Sequence, residues 1–188
     1  RTTGGLDLSS HPVAIFENIF RVGSDKIVND LSINSYLMID EGDGILFGPG
    51  SVIDFEDTFA AIKEILPIDR LKYIVVHSPD PAVCSALPLF EMNGFAGKIV
   101  THWRNAIFIK HYGVASDFVY SNLIDDMLAL KSGRIIHFIN TPYLKSAGSF
   151  AVYDTVSNIF FSGDLFGAFT KQLNVYAGAG YIDDMKKY

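Results

Sequence analysis

Apolar and polar positions change their rhythm along this chain, and the rhythm divides it into three stretches. Alternation and β-branched content place strands at residues 13–21, 35–39 and 45–47, and Asp40-Glu41-Gly42-Asp43-Gly44 between the last two is a hairpin turn. From Asp54 the period lengthens. Phe55, Phe59, Ile62, Ile65 and Leu66 recur at three- and four-residue steps, with Asp54 as candidate cap and Pro67 just past the end, which predicts a helix. Two strand–loop–helix units follow: residues 72–76 lead through His77-Ser78-Pro79-Asp80-Pro81 to a helix over 87–92, and residues 98–101 lead to a helix over 105–112. After Gly133 short alternating runs return at 134–140, 149–153 and 158–162, with Asp154-Thr155-Val156-Ser157 as the turn between the last two. Strands on both sides of a strand–helix alternation predict a mixed-sheet α/β layer fold with helices outside.

The 188 residues are most simply one domain, residues 1–188, and no internal repeat, low-complexity tract or linker divides them. Hydrophobic residues make up 49% and charged residues 19%, too apolar for a disordered coil. The apolar runs are nevertheless strand-sized, far short of the ~18 to 20 residues of a membrane helix. A net charge of −6, with no basic run longer than Lys186-Lys187, argues against a nucleic-acid partner. One cysteine, Cys84, excludes a disulfide scaffold and suits a reducing cytoplasm. The chain opens on Arg1-Thr2-Thr3 without a secretory pattern, which reads as a piece of a longer polypeptide. The 15 Phe and 9 Tyr exceed what one modest core must hold, so a homodimer interface is expected to take some of them.

Loops directly after strand ends hold the polar residues of α/β enzymes, because a rigid sheet edge positions them. Three segments qualify: 77–81, 141–148, and Ser162-Gly163-Asp164-Leu165-Phe166-Gly167. In the third, an acid flanked by glycines after an apolar strand is poorly explained by packing, although a turn aspartate capping the next segment would look the same.

These residues resemble a known family. Tyr73-Ile74-Val75-Val76-His77-Ser78-Pro79-Asp80-Pro81 through Leu87-Pro88 is similar to the first metal-ligand segment of flavodiiron proteins and of their flavodoxin-free relatives, the oxygen-binding diiron proteins. Thr141-Pro142-Tyr143-Leu144-Lys145 and Ser162-Gly163-Asp164-Leu165-Phe166-Gly167-Ala168-Phe169 resemble the next two ligand segments, while Asn34-Ser35-Tyr36-Leu37 and Gly48-Pro49-Gly50-Ser51 fit the opening hairpin. The resemblance implies the metallo-β-lactamase fold, an α/β class αββα sandwich of two mixed sheets.

The family's first segment reads His-x-Glu/Asp-x-Asp-His, and the gapless register puts Ser78, Asp80, Ala82 and Val83 at those positions. The next family histidine falls on Lys145, and 19 residues later Asp164 takes the bridging-carboxylate position. The family's final histidine falls beyond Tyr188. Asp80 and Asp164 thus remain as vestigial metal ligands, while Ser78, Ala82, Val83 and Lys145 are altered. Two carboxylates cannot hold a diiron centre, which needs imidazole and carboxylate donors around two ions. An ammonium has no lone pair, so Lys145 repels metal and can pair with the carboxylates instead. If it points inward, its loss is expected to cost the 3 to 5 kcal/mol of a broken buried pair, roughly. If it reaches solvent, the two aspartates are ordinary caps.

Other chemistries find less support. Taking His77 as the first ligand would put Pro79 and Pro81 at the carboxylate positions. His102, His111 and His137 lack a ligand-type partner at two or four residues, and His11 has only Asp7. His137 reads as a hydrogen-bonded packing residue, His102 beside Trp103 and Arg104 as a pocket candidate, and Cys84 as a buried inert thiol. No Gly-x-Ser-x-Gly, Gly-x-Gly-x-x-Gly or phosphate-loop pattern occurs; Gly178-Ala179-Gly180 opens no dinucleotide unit. The resemblance implies a sensory or regulatory module without catalysis or cofactor, joined to a signalling output domain. The rivals are a metal-holding, oxygen-binding or oxygen-reducing diiron protein, and a structural dimerisation domain.

Overall fold

A computed structural model of the protein describes residues 11–169, 175–178 and 180–187. Its first expected strand is a hairpin, β1 (Val13–Phe16) and β2 (Ile19–Arg21), turning at Glu17-Asn18. Asn18 sits at a φ of 60°, a left-handed conformation that asparagine tolerates, so the polar pair inside an apolar run was the turn signal. The second hairpin, β3 (Tyr36–Asp40) and β4 (Asp43–Phe47), has a turn of two residues, Glu41 and Gly42, both at positive φ as tight hairpins require.

Helix α1 (Phe55–Ile65) begins after Asp54, whose carboxylate does not cap it. Asp54 accepts instead from the amide and hydroxyl of Ser51, at 3.1 and 2.6 Å. Next come β5 (Leu71–Val75), α2 (Pro81–Cys84), α3 (Leu87–Met92), β6 (Lys98–Thr101) and α4 (Trp103–Ile109). Helix α4 starts two residues earlier than the periodicity indicates, because the imidazole of His102 caps it by accepting from the Arg104 amide at 3.2 Å. The chain continues through β7 (Phe118–Tyr120), β8 (Met127–Ala129), β9 (Ile135–Asn140), β10 (Phe150–Asp154), β11 (Ile159–Phe161) and α5 (Tyr181–Met185). Strands β7 and β8 escaped the sequence reading because each has only three residues, too few to show a period by themselves, whereas the equally short β11 was marked by the turn at 154–157.

The strands form two sheets. The first runs β1 to β7 in order, antiparallel as far as β4 and parallel from β4 to β7. The second, in the order β11-β10-β9-β8, is antiparallel throughout. The mixed character expected of both sheets therefore belongs to the first alone, since the second is a succession of hairpins that needs no crossover helix.

Alternate residues of the central strands feed two cores. Leu37, Leu46, Ile74 and Ile99 face Phe55, Ile62, Leu87, Phe90 and Ile109 of the helices, whereas Met38, Ile45, Phe47, Val75 and Val100 face Ile136, Phe138, Phe150, Val152 and Phe161 of the second sheet. Burial on both faces explains why these strands read as continuous apolar runs. On the far face of the second sheet, Met127, Ile135, Ile139 and Phe160 are 39–44% exposed. No helix among the described residues is long and apolar enough to cross a membrane.

Candidate functional site

At one edge of the two packed sheets three loops come together, those after β5, β9 and β11, and these carry the three segments singled out in the sequence. Asp80 lies at the start of α2, where Pro81 at the first helical position suits the fixed proline φ. Its Oδ1 accepts from the Ala82 amide at 2.8 Å, so Asp80 is a helix cap. Its Oδ2 lies 3.0 Å from the Lys145 ammonium, so it is also an ion-pair partner. The same Lys145 Nζ lies 3.7 Å from Oδ1 of Asp164.

One cation thus bridges two carboxylates from opposite sheets. The Lys145, Asp80 and Asp164 side chains are 38%, 29% and 15% exposed, so the lysine is half-buried rather than enclosed. The buried-pair magnitude expected from the sequence is accordingly too large. Ser78 is buried and its hydroxyl has no partner among the described residues; the same holds for Oδ2 of Asp164. Ala82 and Val83 line the adjoining cavity but bring no donor. Among the described residues no three of His, Cys, Asp and Glu come together as a metal ion requires.

That cavity has a volume of about 360 Å³, within the ~300 to 1,000 Å³ usual for small-molecule sites. Besides Lys145 and Asp164 it is lined by Arg21, Asn34, Tyr36 and His77. Its apolar floor includes Phe47 and Phe161, one from each sheet, stacked with ring centres 4.0 Å apart. His77 is buried, and its Nδ1 donates to the Phe150 carbonyl at 3.0 Å. Burial pushes the His77 pKa down, against the opposing influence of that hydrogen bond and of Asp164. Arg21 is buried as well, tied to Asp25 at 2.9 Å and to Oδ1 of Asn34 at 2.9 Å. Burial raises the Tyr36 pKa, Arg21 lowers it and Tyr181 raises it further, so the phenol stays protonated at neutral pH.

Asn105, which the sequence presented only as a helix residue, ties the loops together. Its side-chain amide donates to the carbonyls of His77 (3.3 Å) and Gly148 (2.7 Å) and to Oγ1 of Thr101 (3.2 Å), and accepts from Ser146 (3.1 Å). A Cβ at Gly148 would sit 2.4 Å from the Asn105 oxygen, so only glycine fits there. Gly163 is fixed for a similar reason: its φ is 61° and a Cβ would lie 3.1 Å from that of His77. Three residues on, Phe166 holds a φ of 68°, which is strained for a bulky side chain. Arg21 and Asn105 carry no motif of their own; buried polar residues inside or beside apolar elements were the available signal, whereas Tyr36 lies in the Asn34-Ser35-Tyr36-Leu37 stretch of the opening hairpin.

The remaining sequence candidates lie elsewhere. His102 is a helix cap, outside the cavity. His137 faces outward on β9 between Met127 and Tyr153 and makes no hydrogen bond among the described residues, because its alternation places it away from the core. His11 pairs with Glu64 at 3.0 Å, and Asp7 lies outside the described residues, as does Ala179. The Cys84 thiol is buried, donates to the Asp80 carbonyl at 3.3 Å and has its pKa pushed up to about 12, chiefly by burial.

Comparison with known proteins gives the same frame. A family profile described as ODP family beta lactamase matches residues 31–188. No curated protein matches the sequence. Among solved structures, the flavodiiron protein from Giardia intestinalis superposes with a TM-score of 0.82 at 22% identity, over 94% of this chain and 46% of that one. The chemotaxis sensor ODP, in a peroxy diiron state, gives 0.73 at 21% identity over 94% and 73%. Rubredoxin oxygen:oxidoreductase from Desulfovibrio gigas gives 0.79 at 18% over 94% and 48%. At these identities the likeness is one of fold, and this chain spans about half the length of the Giardia intestinalis and Desulfovibrio gigas proteins.

Proposed function

The chain belongs to the ODP family of beta lactamases, and from that premise we propose that it is a domain whose diiron site has decayed, working as a sensory or regulatory module rather than a catalyst. The observation that carries this reading is Lys145, whose ammonium lies within 4 Å of both surviving carboxylates. A cation there balances the charge that metal would otherwise balance and repels any metal ion that approaches. The rest of the donor set agrees with it: a hydroxyl at Ser78 and hydrocarbon at Ala82 and Val83 do not fit a diiron centre.

The chemotaxis sensor among the similar structures supports a signalling role, and the reading extends to an output domain in the same polypeptide. A lone cysteine supports a cytoplasmic setting. The exposed apolar residues on the second sheet support a homodimer, and a monomer mass by light scattering at micromolar protein would count against it.

Elemental analysis of purified protein tests the central claim. Trace iron and zinc are expected. Near-stoichiometric metal that disappears in Asp164→Ala would instead establish a metal-holding diiron protein.

A further inference from the structure

The hydrogen-bonding groups around the cavity sort by kind. A carbonyl can only accept, so the bond from His77 Nδ1 to Phe150 fixes the proton on Nδ1 and leaves Nε2 of the neutral ring as an acceptor. That Nε2 makes no hydrogen bond among the described residues. Oδ2 of Asp164, on the loop packed against His77, is an acceptor in the same position. Lys145 with Asp80 and Asp164 leaves one net negative charge at this end.

The other end offers donors. Asn34 turns its oxygen to Arg21, which leaves its amide NH2 available, and the Tyr36 hydroxyl has no partner among the described residues. The Arg21 guanidinium stands behind them with its charge matched by Asp25. Strand register separates the two ends. Arg21, Tyr36, Phe47 and Val75 are neighbours across β2, β3, β4 and β5, and His77 follows Val75 by two residues. Tyr36 and the His77 strand are therefore two strand spacings apart, about 10 Å, with the Phe47–Phe161 stack between.

We propose that the cavity binds a small aminocarboxylate, its ammonium held by Asp164 and His77, its carboxylate by Tyr36, Asn34 and Arg21, and its carbon chain on the two phenylalanines. This rests on the sensory reading and names the kind of molecule sensed. Each end of such a ligand meets groups of the opposite kind. A metal chelator or a simple anion would find the net negative end against it.

Isothermal titration calorimetry on protein already shown to be metal-free provides the test. The probes are the twenty L-amino acids, γ-aminobutyrate, δ-aminovalerate and ε-aminocaproate, with propylamine and butyrate as half-ligands. At least one aminocarboxylate is expected to bind with a Kd below about 1 mM. The half-ligands, and the best ligand on either Asp164→Asn or Tyr36→Phe, should bind about tenfold more weakly or worse, with urea midpoints confirming that both variants fold. Silence from every aminocarboxylate at millimolar concentration overturns the proposal. So does binding that both variants leave unchanged, or a half-ligand as tight as the whole. Stoichiometric iron would sink the decayed-site reading whatever the calorimeter shows, whereas a silent titration of metal-free protein removes the ligand alone.

Discussion

Lys145→Met removes one charge and keeps most of the hydrocarbon stem, so it isolates the electrostatic part of the Asp80–Lys145–Asp164 bridge. At 3.0 and 3.7 Å the ammonium is close enough for strong attraction, but the groups are not enclosed. Exposed pairs typically contribute ~0.2 to 1 kcal/mol, and breaking a buried pair costs ~3 to 5 kcal/mol. With the lysine 38% exposed and Asp164 15% exposed, the loss should fall between these, at about 1 to 2 kcal/mol. Part of it is new repulsion between two carboxylates that no longer share a cation. Urea denaturation in low salt measures the loss, and the same titration near 1 M salt, where the screening length is about 3 Å, should recover most of it. Adding Asp164→Asn relieves the repulsion, so the double variant should be less destabilised than the sum of the singles by about 1 kcal/mol. A loss below ~0.5 kcal/mol, the range of neutral surface changes, together with additive singles, would show that the lysine is merely solvated.

Asp154 supplies the pH prediction. Burial alone would raise its pKa, but the bonds from Arg134 and Ser157 outweigh burial and hold it at about 2. The folded value lies below the ordinary 3.8, so the contribution is whole above that pH and is lost as pH falls from 3.8 toward 2; about 2 kcal/mol should disappear across this window in wild type but not in Asp154→Asn. Asn105→Ala leaves several buried groups unpaired and should cost about 2 to 4 kcal/mol, read as a lower urea midpoint with an unchanged slope. Gly163→Ala forces a left-handed alanine against His77 and should cost about 1 to 3 kcal/mol; a neutral result would mean that the loop yields freely.

Much of the architecture was legible in the sequence because its strands are long enough to show a period and its turns use residues with positive φ. Residues 36–47 show this: Glu41-Gly42 marks the turn, and the strands on either side extend to Asp40 and Asp43. Strands β7 and β8 were lost because three residues carry no period by themselves, whereas the turn at 154–157 marked the equally short β11, and the β1–β2 turn was lost because only two polar residues mark it. The segments carrying Asp80, Lys145 and Asp164 were visible as polar loops after apolar strands. How far Lys145 is exposed was not visible, since that depends on loops of two different sheets. Asn105 was hidden for the same reason: its four partners are scattered from residue 77 to residue 148.

Both sheets use their strands in strict chain order, β1 to β7 and then β8 to β11. Every ladder therefore lies wholly on one side of the turn at residues 121–126. A polypeptide cut at that turn would give two fragments, each keeping all of its own strand pairs, and they could be mixed to rebuild the whole by complementation. What neither fragment has alone is the Phe47–Phe161 stack, the Lys145 bridge to Asp80 or the lining of the cavity. Reassociation of the halves would then be a bimolecular readout of site assembly, one that any occupant of the cavity should accelerate or prolong.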